Sequence, residues 1–266
     1  MKDKKEIYAT FGIEYKAGYI NAPIYGWIPV LLLDGNDKLG KGVWTWSTLP
    51  TNGSFVVHVN GELVEMAGTC PLKCDGCYAD GRGRYRMRNV IESLAKKTFL
   101  TRVYMDFVKR AILAQIIADE IKILRIHAAG DFFSDAYLQM WLDIIRACPD
   151  TIFWTYTKVT RYEPAFDAFP NANIVKSIIR GHGFNFGHCD YILDTYNALR
   201  AAGESVYICR CGIDKNQHCI NCKGCMSNKY VLFVEHSTEY KAEKDPLFPV
   251  LRAVVESQQS METEAA

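Results

Sequence analysis

Residues 122–145 read KILRIHAAGDFFSDAYLQMWLDII. Lys122 to His127 is a short β-rich run, and the small residues Ala128, Ala129 and Gly130 with Asp131 follow it as a turn. Ser134 then suits a helix N-cap, with Asp135 in the first turn. Tyr137, Leu138, Trp141, Ile144 and Ile145 recur at helical spacing until the chain meets Pro149. Strand, turn and amphipathic helix in that order make a βα unit.

The same alternation extends in both directions. Six short β-rich runs are legible: Leu63 to Met66, Lys122 to His127, Ile152 to Tyr156, Ile174 to Ile179, Val206 to Cys209 and Val231 to Val234. Between them lie a helical segment from about Val90 to Asp119, whose Tyr104, Phe107, Val108, Ala111 and Ile112 make one apolar face, and another from Tyr191 to Ala202 ending at Gly203. The windows from Tyr162 to Phe169 and after Asp245 are weaker, the latter interrupted by Pro246 and Pro249. Repeated βα units with right-handed crossovers predict an α/β fold, a partial (β/α)6 TIM-type barrel with functional loops at the C-terminal ends of the strands. Ahead of it, Trp27 to Leu33, Asp34 to Gly42 and Val43 to Ser47 read as strand, loop and strand, and Asn60-Gly61 as a hairpin turn. The expected division is a β appendage over 1–62, the barrel over 63–257 with a cysteine-rich insertion at 209–229 near the C-terminus, and a frayed tail over 258–266.

The chain has 266 residues, 49% hydrophobic and 23% charged, with a net charge of +1, which excludes a disordered or low-complexity polymer and a globally basic nucleic-acid binder. Its longest apolar run, near Ile28 to Leu33, is too short to span a bilayer, and the start MKDKKEIYATFG lacks the apolar core of a secretory signal. A cytoplasmic location without membrane association is therefore expected. Thiols there stay reduced, so ten cysteines indicate metal or catalysis before disulfides.

Eight of the ten fall in two groups, while Cys148 and Cys189 stand alone and read as small buried hydrophobes. In the first group, Thr69 to Ala79 reads TCPLKCDGCYA and puts Cys70, Cys74 and Cys77 on one tight loop. Three thiolates leave a tetrahedral zinc site incomplete, and the nearest histidine in sequence is His58. A 4Fe-4S cluster accepts three thiolates and leaves its last iron open. The plainer alternative is a zinc knuckle completed by a distant ligand, or three unrelated thiols. The CxxxCxxC spacing followed by Tyr78-Ala79 resembles the cluster loop of the radical S-adenosylmethionine enzymes, although Gly76 stands where that family often has an aromatic residue. The resemblance implies a six-unit partial barrel whose cluster loop follows the first strand, in agreement with the strand order above.

It also implies a site for S-adenosylmethionine. Ala129, Gly130 and Asp131 look like a reduced version of the family's glycine-rich segment that binds the methionine amino group, and Tyr78 follows the cluster loop. The bland alternative is a βα turn in which Asp131 precedes the helix. Thr157, Lys158 and Ser177 are candidates by location alone, as strand-end residues able to bond ribose and carboxylate. His127 reads as a satisfied barrel histidine rather than a base. Arg82, Arg84, Arg86 and Arg88 could grip phosphate, but such a run more often marks a solvated loop, and residues 181–187, GHGFNFG, could form a substrate loop.

The second group, Cys209 to Cys225, reads CRCGIDKNQHCINCKGC. Its last three cysteines have ferredoxin-like spacing without the final Cys-Pro. The expected ligand set is Cys209, Cys219, Cys222 and Cys225 around an auxiliary 4Fe-4S cluster, with Cys211 spare, an alternate ligand or a reactive thiol. A four-thiolate zinc site is equally compatible with the residues. The order of segments from about Ser47 to His236 is similar to an uncharacterised family of phage-encoded proteins that look like radical S-adenosylmethionine enzymes, a family that supplies no substrate. The resemblance implies two 4Fe-4S clusters and S-adenosylmethionine as cofactors. An external one-electron reductant is the implied partner, with a peptide, nucleic acid or small molecule as substrate. The competing class is a non-catalytic zinc or iron-sulfur metalloprotein acting as a binding or electron-transfer module.

Overall fold

The computed structural model describes residues 3–35, 38–51, 53–59, 61–72, 79, 87–179, 183–214, 216–235 and 241–264. Helix α1 (Lys4–Thr10) precedes an antiparallel meander of β1 (Tyr15–Lys16), β2 (Tyr19–Ala22) and β3 (Gly26–Pro29). Strands β4 (Leu33–Asp34) and β5 (Val43–Thr45) follow, then the hairpin β6 (Ser54–Val59) and β7 (Glu62–Ala67). Helices α2 (Arg88–Val103) and α3 (Met105–Ala118) lead to β8 (Ile123–Ile126), α4 (Asp135–Ala147), β9 (Ile152–Thr157) and β10 (Ala172–Lys176). The short pairs β11 (Ile178–Ile179) with β12 (Gly183–Phe184), and then β13 (Phe186–Gly187), precede α5 (Cys189–Ala201) and β14 (Val206–Ile208). The chain ends with α6 (Gly224–Ser227), β15 (Tyr230–Val234) and α7 (Phe248–Glu264).

Among the described residues the parallel strands form two sheets. One has the order β10-β9-β8-β5-β4, parallel except for β4; the other is β13-β15-β14, all parallel. Lys176 N–H donates to the Lys229 carbonyl at 2.9 Å, linking the end of β10 to the entry of β15.

Five of the six expected runs become strands of these sheets, and the first does not. Leu63–Met66 lies in β7, which among the described residues pairs with β6 alone, whereas Val43–Thr45, assigned above to the appendage, enters the larger sheet beside β8. The alternation of β6 and β7 suits a hairpin with one face in water, and Val56 and Leu63 are indeed exposed. The helical segment expected over 90–119 is broken at Tyr104 (φ −126°, ψ 47°) into α2 and α3. The tail expected to fray from 258 instead continues α7, and Pro249 does not interrupt that helix because it stands in the first turn, where its missing N–H costs no helical bond. Gln258 is buried there, and its side-chain oxygen accepts from Ile208 N–H at 3.0 Å.

One face of the five-stranded sheet is covered by helices. Leu124, Ile126, Phe153 and Ile174 pack against Phe107, Ala111, Trp141 and Ile145 of α3 and α4. Ser134 caps α4 as its sequence implies, its hydroxyl accepting from Tyr137 N–H at 3.2 Å. The opposite face carries Val43, Trp154 and Val175, which pack against Tyr207, Val231 and the buried Cys209, Cys222 and Cys225. The cysteine-rich segment thus occupies the face that the helices leave uncovered.

On α2, Lys97 is only 7% exposed, and its ammonium lies 5.5 Å from the centre of the Trp46 ring. Burial lowers its pKa from 10.5 to about 8. Between those values the unfolded chain binds more protons than the folded one, so stability rises with pH across that window, while below pH 8 the full cost of the buried charge is present. Lys97→Met is expected to remove a cost of about 3 kcal/mol, less the lost ring contact, at pH 7. Melting curves should show a more stable variant at pH 7 and a flatter profile between pH 8 and 10.

Candidate metal centre

The first cysteine loop begins where β5 and β8 end. Trp46 N–H donates to the Arg125 carbonyl, Ala128 N–H to the Trp46 carbonyl and Thr48 N–H to the Ala129 carbonyl, so the two strand exits remain paired past the sheet. Thr69 N–H and hydroxyl both donate to the Leu49 carbonyl, at 3.0 and 2.8 Å, and Cys70 N–H donates to the Thr51 carbonyl at 2.9 Å. Asp131 N–H donates to the Thr69 hydroxyl at 3.3 Å. Gly130 has φ +89°, and a Cβ placed on it would lie 2.1 Å from Thr48 Oγ1 and 2.6 Å from Thr69 Oγ1. Only glycine lets the turn after β8 approach the residue before Cys70 this closely. Cys74, Cys77 and Tyr78 lie outside the described residues, as do Arg82, Arg84, Arg86 and His236.

Several of the other candidates meet at this edge. Asp131 is 5% exposed, and its carboxylate accepts from Phe132 N–H at 2.8 Å, Thr157 Oγ1 at 2.8 Å and Lys158 N–H at 3.0 Å. Burial raises its pKa, against the lowering effect of these donors. Ser177 is buried and donates its N–H to the Thr157 carbonyl at 3.1 Å. Lys158 projects its ammonium over Phe184, 5.8 Å from the ring centre. Ala129, Gly130, Asp131, Thr157, Lys158 and Ser177 therefore share the C-terminal edge of the sheet with Cys70. Thr48 and Thr69 were not singled out by sequence reasoning, because a threonine's role in seating a turn has no local signature.

His127 is buried with φ +59°, and burial lowers its pKa to about 3, helped by Arg125. Its Nε2 is 2.8 Å from the Tyr137 hydroxyl, which accepts from Trp46 Nε1 at 2.8 Å. Tyr137 thus has its own proton to give to Nε2, and His127 is a neutral, satisfied core residue, as its sequence context suggests.

The second group crosses the helix-free face. Asn173 Nδ2 donates to the carbonyls of Cys225 and Asn228, both at 2.9 Å. Cys219 N–H and Ile220 N–H donate to the carbonyls of Lys38 and Leu39, in the loop that enters β5. This anchors one end of the segment at the strand entries, whereas sequence order alone would place the whole group with the first loop at the exits. Gly224 lies against Tyr207, where a Cβ would approach the ring to 2.3 Å.

The sulfurs sit close together. Cys209 and Cys211 share a hydrogen bond, as do Cys211 and Cys219, and Cys225 lies near Cys209 and Cys222. Burial pushes the Cys225 thiol up to about 12. The Cys211 thiol, lowered by its bond with Cys209 but raised by that with Cys219 and by burial, stands at about 11. The Tyr156 hydroxyl donates to Cys225 Sγ at 2.7 Å, and the Tyr207 hydroxyl lies 3.5 Å from Cys222 Sγ. Arg125 stacks on Tyr156 with its guanidinium 5.0 Å from the ring centre. None of the eight described cysteines forms a disulfide. Among the described residues no group of three or more His, Cys, Asp or Glu is already arranged to hold a metal ion. The segment offers five thiols, which suit a thiophilic metal, and the proton on each thiol is what ligation would displace.

An α/β protein with one sheet face given over to a thiol-rich layer is the class that these observations define. The profile of a family described as Gene product 88 matches residues 30–242, well over half of the chain, and the protein belongs to that family. It is 31% identical over 105 residues to the Gene 88 protein of Mycobacterium phage D29, covering 35% of this chain and 42% of that protein. It is also 53% identical over 38 residues to the Gene 88 protein of Mycobacterium phage L5, covering 14% of this chain and 16% of that protein. The matched stretches thus span less than half the length of these relatives. No solved structure matches the chain. Among the described residues no helix is long and apolar enough to cross a membrane.

Proposed function

We propose that this protein is a radical S-adenosylmethionine enzyme built on a partial (β/α)6 barrel, with Cys70, Cys74 and Cys77 holding a 4Fe-4S cluster and the second cysteine group holding an auxiliary one. The observation that carries the reading is the seating of Thr69-Cys70 directly against Ala129-Gly130-Asp131, since two motifs singled out separately from the sequence are hydrogen-bonded neighbours at one edge. When bound, such a cluster supplies the electron that cleaves S-adenosylmethionine to methionine and a 5′-deoxyadenosyl radical, which abstracts hydrogen from the substrate.

The residues of the chain provide binding and orientation. The Ala129-Gly130 backbone comes to the edge without side-chain bulk. Asp131 holds the exits of β8 and β9 together, so in this reading it positions the turn, and its oxygens are already engaged. Lys158 and Ser177 bound the same edge and can bond a carboxylate or hydroxyl there.

The anaerobically reconstituted protein, reduced with dithionite, is expected to form 5′-deoxyadenosine from S-adenosylmethionine and to contain about eight irons per chain, as two four-iron clusters require. Cys74→Ala should abolish the cleavage. Undiminished cleavage by the variant would overturn the assignment of the cluster to the first cysteine group, and a colourless wild-type protein holding zinc would instead favour a non-catalytic module. That second reading draws on the place of the Cys209–Cys225 segment, which bridges the sheet and the loop entering β5 as a purely structural centre would.

A further inference from the structure

We propose that the cleft between the 3-10 turn Thr160–Phe166 and the outer edge of β10 binds a free α-amino acid with an apolar side chain, its ammonium taken by Glu163 and Asp167 and its carboxylate by Lys229. The cleft lies on the helix-covered side of the sheet, away from the cysteine layer, and the inference is independent of S-adenosylmethionine chemistry.

β10 is the last strand of the five-stranded sheet, and only β9 pairs with it there. In a parallel strand successive residues turn their backbone groups to opposite neighbours. Ser177 N–H donates to the Thr157 carbonyl, so Asn173 and Val175 also face β9. Lys176 N–H donates to the Lys229 carbonyl instead, and Ile174 therefore presents its N–H and carbonyl to that same outer edge. A cavity of about 250 Å³ opens beside it. Phe166, Phe169 and Ile174 line it and belong to the main core, so part of its wall is apolar. Pockets for drug-sized ligands begin at about 300 Å³, and this smaller space suits a ligand of few heavy atoms.

Four charged side chains line the same cavity, two of each sign. Glu163 Oε2 lies 3.3 Å from Lys176 Nζ, which also sits 5.1 Å from the centre of the Tyr230 ring, so Lys176 is engaged within the protein. Glu163 Oε1 is buried without a hydrogen-bond partner, an acceptor that lacks its donor. Lys229 and Asp167 approach only to 3.9 Å with more than half of each side chain exposed, a loose pair that a ligand separates at little cost. Because the four charges sum to zero, a nucleotide would face the two carboxylates and a simple amine would face the two lysines. A dipolar ion matches both signs. Its ammonium supplies the donor that Glu163 Oε1 lacks, its carboxylate meets Lys229, and its side chain covers the apolar wall.

The full chain is titrated calorimetrically with L-leucine, with neither S-adenosylmethionine nor metal added. One saturable site is expected. N-acetyl-L-leucine lacks the ammonium and L-leucinamide lacks the carboxylate, and each should bind about tenfold or more weakly. Asp167→Asn and Lys229→Met, both at exposed side chains, should melt like the parent and weaken leucine by a similar factor. Heats that fail to saturate by about 10 mM leucine, blocked analogues that bind as well as leucine, or unchanged affinity in both variants would overturn the proposal. Tighter binding of adenosine monophosphate than of leucine would also overturn it, making the cleft an anion site. Formation of 5′-deoxyadenosine should be the same in both variants as in the parent, so failure of this site and failure of the cluster reading are separate results.

Discussion

Gly130→Ala is expected to destabilise the protein by about 3 kcal/mol or more and to lower its melting temperature by about 6 °C or more. Two costs combine. A residue with a Cβ at φ +89° bears roughly 1–2 kcal/mol of backbone strain, and the new methyl would collide with Thr48 Oγ1 and Thr69 Oγ1. Those hydroxyls have little room to give, since they bond each other at 2.9 Å and Thr69 also donates to the Leu49 carbonyl. Gly203→Ala is the control, because Gly203 has φ +75° at the end of α5 with nothing within 4 Å of the would-be Cβ. It should lose only about 1 kcal/mol. Circular dichroism melts of the two variants decide the matter, and equal losses would show that the approach of the turn to Thr69 carries no weight. If the first cysteine group holds the proposed cluster, its iron should fall with Gly130→Ala and be unchanged with Gly203→Ala.

The comparison also shows which features could be read from residues alone. The turn after β8 and the capped start of α4 were legible because their signals are local: small residues, a serine hydroxyl and an apolar stripe at helical spacing. The strand that opens the sheet was not. Val43–Thr45 is only three residues long, whereas the hairpin over 54–67 alternates more convincingly yet, among the described residues, pairs with no other strand. Periodicity reports that a strand exists and says nothing about its partner, which depends on contacts distant in sequence. The break at Tyr104 was hidden for a related reason, as the apolar pattern runs on through it while the backbone turns. In the thiol-rich layer the spacing of the cysteines was visible, but Tyr156 lies 69 residues from Cys225 and Asn173 lies 52. No local pattern marks a tyrosine or asparagine for such a task.

Asp131→Asn is expected to cost about 2–3 kcal/mol, and Asp131→Ala about 3–5 kcal/mol. The carboxylate gathers two backbone N–H groups and one hydroxyl in a buried place, with Phe132 and Thr157 on Oδ1 and Lys158 on Oδ2. An asparagine must turn its own NH2 toward at least one of these donors, and Thr157 has less freedom to adapt because its oxygen already accepts from Val159 N–H at 2.9 Å. Alanine leaves all three without an acceptor. The pH dependence follows from burial, which holds the folded pKa above 3.8. The folded chain then binds more protons than the unfolded one between 3.8 and the raised value, so this group adds stability as pH falls through that window and loses it as pH rises. Denaturant melts across the acid range should show that contribution in the wild type and not in Asp131→Asn. If Asp131 instead bound the amino group of a ligand, Asp131→Asn would melt like the wild type and fail only in binding S-adenosylmethionine. That pattern would move Asp131 from holding β8 and β9 together to touching the ligand, and the turn would be a binding loop in its side chains as well as its backbone.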